Sequence, residues 1–231
     1  MADILLGYEL EFASRIAPWM MSQELMHLRL PRGVVKGWEE WQLGRDDSIR
    51  HPEGFFPYEI SSAVMPLEKG MDKLSDMLKW MQDIHVHTNN TTGIHINLSW
   101  EDPEKMKKMD QLKLVLFLNE DEILRQFQRS RNGFCQGHQG VLRYKCFNGE
   151  ITTREQLDSE LLYEKDMFVN LSKTEDGYLE FRAMGNRNYH RRFDEIEENV
   201  AHFVECMELA CRPRARKKEF DDRVATILRG E

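Results

Sequence analysis

The stretch Ile4-Leu5-Leu6-Gly7-Tyr8-Glu9-Leu10-Glu11-Phe12 decides how the chain is read. A β-strand sends successive side chains to opposite faces, so Ile4, Leu6, Tyr8, Leu10 and Phe12 share one face. Leu5, Gly7, Glu9 and Glu11 share the other. Glu9 and Glu11 then stand roughly 6–7 Å apart between Cα atoms. Two carboxylates that close repel, and partial burial raises the cost. The pair needs a cation, a shared proton or full exposure to water; taken alone, a polar edge strand is the simpler reading.

The same alternation recurs along the chain. Residues 93–100 place Ile94, Ile96, Leu98 and Trp100 opposite His95, Asn97 and Ser99. Residues 177–183 place Leu179, Phe181 and Ala183 opposite Tyr178, Glu180 and Arg182. Tyr58-Glu59-Ile60-Ser61 places Glu59 beside Ser61, and residues 34–43 and 167–172 also read as strands. Apolar residues at helical spacing lie between them. Leu67, Met71, Leu74, Leu78, Met81 and Ile84 form one stripe after Pro66. Residues 104–118 form a second, with Pro103 at its first turn. Phe193, Ile196, Val200, Phe203, Val204 and Met207 form a third that stops before Pro213, and Phe220, Val224 and Ile227 mark a short C-terminal helix. The methionines in these stripes read as core packing.

This pattern predicts an α+β fold, a predominantly antiparallel sheet with helices packed on one face. The other face is where chemistry is expected. An ordinary solvated face carries Lys, Thr, Ser and Gln, whereas this one carries Glu9, Glu11, Glu59, His95, Glu180 and Arg182. Carboxylates with one imidazole suit Mg²⁺ or Mn²⁺, and phosphate oxygens can complete their coordination. Arg182 beside acidic ligands makes sense if a polyanion lies between the two kinds of cation. Removing a carboxylate from such a cluster is expected to relieve repulsion in the metal-free protein.

Composition bounds the rest. At 231 residues, 41% hydrophobic and 31% charged, the chain can bury a core without staples and is read as one domain over 1–231. The net charge of −8 disfavours non-specific nucleic-acid binding. No apolar run approaches the ~20 residues that span a bilayer. Met1-Ala2-Asp3 lacks a basic leader, so a cytoplasmic protein is expected. Cys135, Cys146, Cys206 and Cys211 match no zinc template and read as free thiols.

Six short motifs, in order, resemble the small amidoligases, relatives of glutamine synthetase and glutamate–cysteine ligase. They are Gly7-Tyr8-Glu9-Leu10-Glu11, Gly44-Arg45-Asp46-Asp47-Ser48-Ile49, Tyr58-Glu59-Ile60-Ser61-Ser62, Thr92-Gly93-Ile94-His95-Ile96-Asn97, Asn170-Leu171 and Leu179-Glu180-Phe181-Arg182. The resemblance implies a curved, glutamine-synthetase-like sheet that binds ATP with Mg²⁺ on its concave face. By that similarity Glu9, His95 and Glu180 hold the ion at the nucleotide phosphates, and Glu11 and Glu59 hold one nearer the acceptor carboxylate. Arg182 lies against the transferring phosphoryl group, with Glu59 and Asp47 at the reacting centre. Ser48 and Asn97 are expected to contact the nucleotide, although Asp46 and Asp47 can equally cap a turn. Asn97 stands where relatives often have a second histidine.

The implied reaction is ATP-dependent amide formation between small-molecule or peptide carboxylates and amines, through an acyl phosphate. The alternatives are a phosphotransferase or a non-catalytic relative that keeps the fold and the nucleotide–metal site.

Three further signals stand apart. Arg125, Arg129, Arg131, Arg143 and Lys145 form a basic stretch in which Arg131 is a candidate phosphate contact. His85 and His87 form an H-x-H pair. Residues 212–218 form a basic run that either binds a nucleic acid or an acidic partner, or complements a helix end.

Overall fold

The computed structural model describes residues 3–28, 30, 40–129, 133 and 135–231. Seven strands are found among them: β1 (Ile4–Ser14), β2 (Gln42–Gly44), β3 (Phe56–Ser61), β4 (Met65–Pro66), β5 (Gly93–Trp100), β6 (Val169–Asn170) and β7 (Leu179–Gly185). The α-helices are α1 (Pro18–His27), α2 (Leu67–Asp83), α3 (Pro103–Lys107), α4 (Gln111–Phe117), α5 (Glu120–Gln126), α6 (His138–Phe147), α7 (Arg154–Ser159), α8 (Phe193–Ala210) and α9 (Lys217–Leu228).

The strands form one open sheet in the order β2-β3-β1-β5-β7-β6, with β4 on the far part of β1. Every ladder between these strands is antiparallel. The fold is therefore α+β, as the alternation predicts. The apolar face of β1 is fully in the core: Leu6, Leu10 and Phe12 have no exposed surface. α2 packs its Leu74, Met77, Leu78 and Met81 against it. Phe181 of β7 stacks on Phe203 of α8, ring centroids 4.2 Å apart.

Some elements differ from the sequence reading, for local reasons. The single helix expected over 104–118 is two, because the Asp110 side chain accepts from Lys113 N at 2.8 Å and caps a new start. The strand expected over 167–172 ends at Asn170, whose Oδ1 accepts from Ser172 N and Oγ and turns the chain into a 3₁₀ turn. Of the strand expected over 34–43, residues 34–39 lie outside the described residues. No described helix is long and apolar enough to cross a membrane.

One buried group makes the fold acid-sensitive. His190 is 2% exposed, its Nδ1 has no hydrogen-bond partner, and burial and Arg191 push its pKa down to about 4. The unfolded chain binds a proton near 6.5, so folding loses stability as the pH falls from 6.5 towards 4. Between pH 7 and pH 5 this group should cost about 2 kcal/mol. Denaturant unfolding at both pH values should show that part of the loss absent in His190→Leu; an equal loss in both proteins would refute the assignment.

Candidate active site

Strand register builds the acidic face. Glu11 lies opposite Glu59 across the β1–β3 ladder, and Glu9 lies opposite His95 across β1–β5. Asn97 lies opposite Glu180 across β5–β7, and Asn170 lies opposite Glu180 on the other side. Between Ile94 and Ile96 the ladder is irregular: β7 inserts Arg182 and Ala183 opposite the single residue His95. Such a bulge re-aims a side chain. Here Arg182 Nη1 donates to Glu180 Oε1 and stands 3.4 Å from His95 Nδ1.

The donors fall into two sets. In the first, ligand atoms of Glu9, His95 and Glu180 lie within 4.8 Å of one another. In the second, those of Glu11, Asp46 and Glu59 do the same. Either set could take one hard divalent ion, through carboxylate oxygen with or without imidazole nitrogen. His95 joins them. Its Nδ1 is 3.0 Å from Glu9 and 3.5 Å from Glu180, and its Nε2 is 3.4 Å from Glu11. A ring nitrogen bound to a cation in the first set would thus be oriented by a carboxylate of the second.

Neighbours hold the carboxylates in place. Gly93 N donates to Glu11 at 2.6 Å, Asn97 Nδ2 to Glu9 at 3.3 Å, and Asn170 Nδ2 to Glu180 at 2.8 Å. Ser48 donates to Asp46 from N at 2.8 Å and from Oγ at 2.9 Å.

The electrostatics follow from this crowding. Burial and the charges of Glu9, Glu11 and Asp46 raise Glu59 to about 7. Burial alone would raise Glu9, yet the His95 hydrogen bond and charge bring it below the usual carboxylate value. Burial alone would lower His95, but Glu11 and Glu9 outweigh it and its pKa rises. The cluster is already partly compensated by His95 and Arg182. Relief on removing a carboxylate is therefore expected chiefly at Glu59, which burial and its acidic neighbours raise, and less at Glu180, which Arg182 already pairs.

The structure brings together Glu9, Glu11, Glu59, His95, Glu180 and Arg182, with Asn97 on Glu9. Asp47 lies apart: it is 76% exposed and paired to Arg45 at 2.6 Å, while Asp46 faces the second set. Ser48 spends its N–H and hydroxyl on Asp46. Arg131 lies outside the described residues. Elsewhere in the basic stretch, Arg143 pairs with Asp121 and Lys145 with Glu160. Residues 212–218 make ion pairs through Arg212, Arg216 and Lys217 with Glu208, Glu219 and Asp221, as a solvated helix end does. His85 and His87 join neither carboxylate set. Burial raises the Cys135 and Cys206 thiols to about 12, the wrong direction for a nucleophile.

Sequence reasoning missed a recess next to the first set. A cavity of about 250 Å³ is lined by Leu5, Val64, Asn97, Ser99, Trp100 and Tyr178, among others. Asp176 and Tyr178 line both this recess and the adjoining cleft that holds Glu9, Glu180 and Lys173. An apolar slot therefore opens onto a charged one. Trp100 and Val64 carry no signal of this in the sequence, because their side chains come together only across β5 and the loop after β3.

A search of the curated proteins returns no match to the chain. A family model does match it, over residues 10–206, from within β1 to within α8, and its description is "Putative amidoligase enzyme". That span includes Glu11, Asp46, Glu59, His95, Glu180 and Arg182, and the chain belongs to this amidoligase family.

Proposed function

We propose that the protein is an ATP- and Mg²⁺-dependent carboxylate–amine ligase that forms an amide through an acyl phosphate on a glutamine-synthetase-like sheet face. The observation that carries this reading is the pair of three-donor sets bridged by His95 on one sheet face. Glu9, His95 and Glu180 would hold one Mg²⁺, or Mn²⁺, and Glu11, Asp46 and Glu59 a second. Bound there, the ions would neutralise phosphate charge as it develops.

The reaction itself is simple in outline. A substrate carboxylate attacks the γ-phosphorus and ADP leaves. An amine then attacks the acyl carbon, expels inorganic phosphate and gives up a proton. The chain need supply no nucleophile; its work is positioning and charge neutralisation. Arg182 suits the transferring phosphoryl group, since its Nε is buried without a hydrogen-bond partner beside Glu180 and His95. Asn170 and Asn97 fix the rotamers of Glu180 and Glu9. The recess beside Tyr178 is apolar and sized for a nucleobase, with the phosphates reaching the cleft of Glu9 and Glu180.

The test uses a substrate carboxylate labelled with ¹⁸O. Transfer of one label into released phosphate, together with an amide product, is expected for an acyl phosphate. Phosphate that stays on the acceptor indicates a phosphotransferase instead. Val64→Phe should fill the recess and raise KM for ATP about 10-fold, with kcat within about 3-fold, a loss of ground-state and transition-state binding alike. An unchanged KM would remove the recess from the nucleotide site.

A further inference from the structure

Arg129 is 3% exposed and leaves α5 through a pinned turn. Gln128 before it adopts φ +54°, and Arg129 N donates to Leu124 O at 2.6 Å. Asn186 Nδ2 holds the same turn by donating to the carbonyls of Phe127 and Gln128, each at 3.1 Å. The guanidinium then reaches the paired glycines Gly93 and Gly185. Nη1 donates to Thr92 O at 3.2 Å and to Met184 O at 3.1 Å. A Cβ on Gly185, where φ is +143°, would fall 2.3 Å from Nη1 and 2.6 Å from Gly93 Cα. The close approach of Arg129 thus depends on a residue without a side chain.

Those two bonds end on backbone carbonyls, not on a carboxylate, and Nε is buried with no partner. A full charge removed from water on such terms is costly. Its compensation lies next door. A Cβ on Gly93 would meet His95 Nε2 at 3.1 Å, Arg129 Nη1 at 3.2 Å and Glu11 Oε2 at 3.2 Å, so the three groups converge on one point.

We propose that Arg129 is a built-in counter-ion of the Glu11–Asp46–Glu59 set. Its fixed charge steadies these carboxylates when no divalent cation is bound, and it lowers their cation affinity so that the ion comes and goes with an anionic substrate. Arg129 is a positioning residue, acting through Glu11. The inference rests on the metal reading of this set made above.

Titration with MnCl₂, without nucleotide, tests it. At a separation of several ångströms, loss of one positive charge should tighten Mn²⁺ binding about 5-fold in Arg129→Gln. Arg129→Lys keeps the charge and should bind within about 2-fold of wild type, although it cannot reproduce both carbonyl bonds. A purely structural brace predicts the opposite sign, because a misplaced Glu11 binds cations less well. Thermal unfolding covers a poorly folding variant: MnCl₂ should raise the midpoint of Arg129→Gln more than that of wild type. Weaker or unchanged Mn²⁺ binding in Arg129→Gln, or failure to fold at saturating MnCl₂, overturns the proposal. Wild type that binds no Mn²⁺ overturns the metal reading itself, and the proposal with it.

Discussion

His95→Ala is expected to lower ATP turnover by on the order of 1000-fold, measured as ADP release in the steady state. Among the described residues of the face, His95 is the side chain that ion-pairs with both donor sets. Its Nδ1 lies at Glu9 and Glu180 and its Nε2 at Glu11, so one truncation removes a ligand from the first set and a neighbouring ring that faces Glu11 of the second. The metal-free variant should also lose about 3 kcal/mol, because three buried or half-buried carboxylates lose the group that bridges them. Added Mg²⁺ should restore part of that stability. Turnover within 10-fold of wild type would remove His95 from the catalytic centre.

The second large effect is at Glu59. With a folded pKa of about 7 and an ordinary value of 4.5, the folded state binds more protons between those limits. Protonated Glu59 thus contributes stability that is complete below pH 4.5 and lost as the pH rises through 7. Allowing for its partial exposure, the penalty at pH 8 is about 2 kcal/mol. Glu59→Gln carries no such charge, so the metal-free variant should be more stable than wild type by about that amount at pH 8 and by much less at pH 5. Cation binding should move the other way, with Mn²⁺ affinity at pH 8 falling at least about 10-fold. In wild type Mn²⁺ affinity should also fall as the pH drops below 7, because the Glu59 proton competes with the ion. A variant destabilised at pH 8, with wild-type cation affinity, would show that Glu59 is only a surface carboxylate.

The acidic face was legible because a period of two leaves a plain mark. Glu9, Glu11, His95, Glu180 and Arg182 each alternate with core residues, and the β1, β5 and β7 ladders put them on one face. The bulge at Arg182 and Ala183 left no mark, since it depends on pairing with a strand far along the chain. Asp46 and Asp47 are indistinguishable as letters; Ser48, by bonding Asp46, fixes which of them turns inward. Arg129 looked like any member of a basic stretch. Its burial depends on two glycines on other strands, which no local pattern reports. α5, α6 and α7 went unread because they are short, and α6 leaves Tyr144 and Phe147 exposed, which spoils its apolar stripe.

A face built this way should bind a nucleotide together with divalent ions. Thermal unfolding of wild type and His95→Ala, each with and without ATP and MgCl₂, tests it without knowledge of the acceptor. Filling the site to 100 times its dissociation constant should stabilise wild type by about 2.7 kcal/mol. Wild type should show an upward shift that needs both ATP and Mg²⁺ and is absent from His95→Ala. No shift in wild type with Mg²⁺ or Mn²⁺, or an equal shift in the variant, would contradict it.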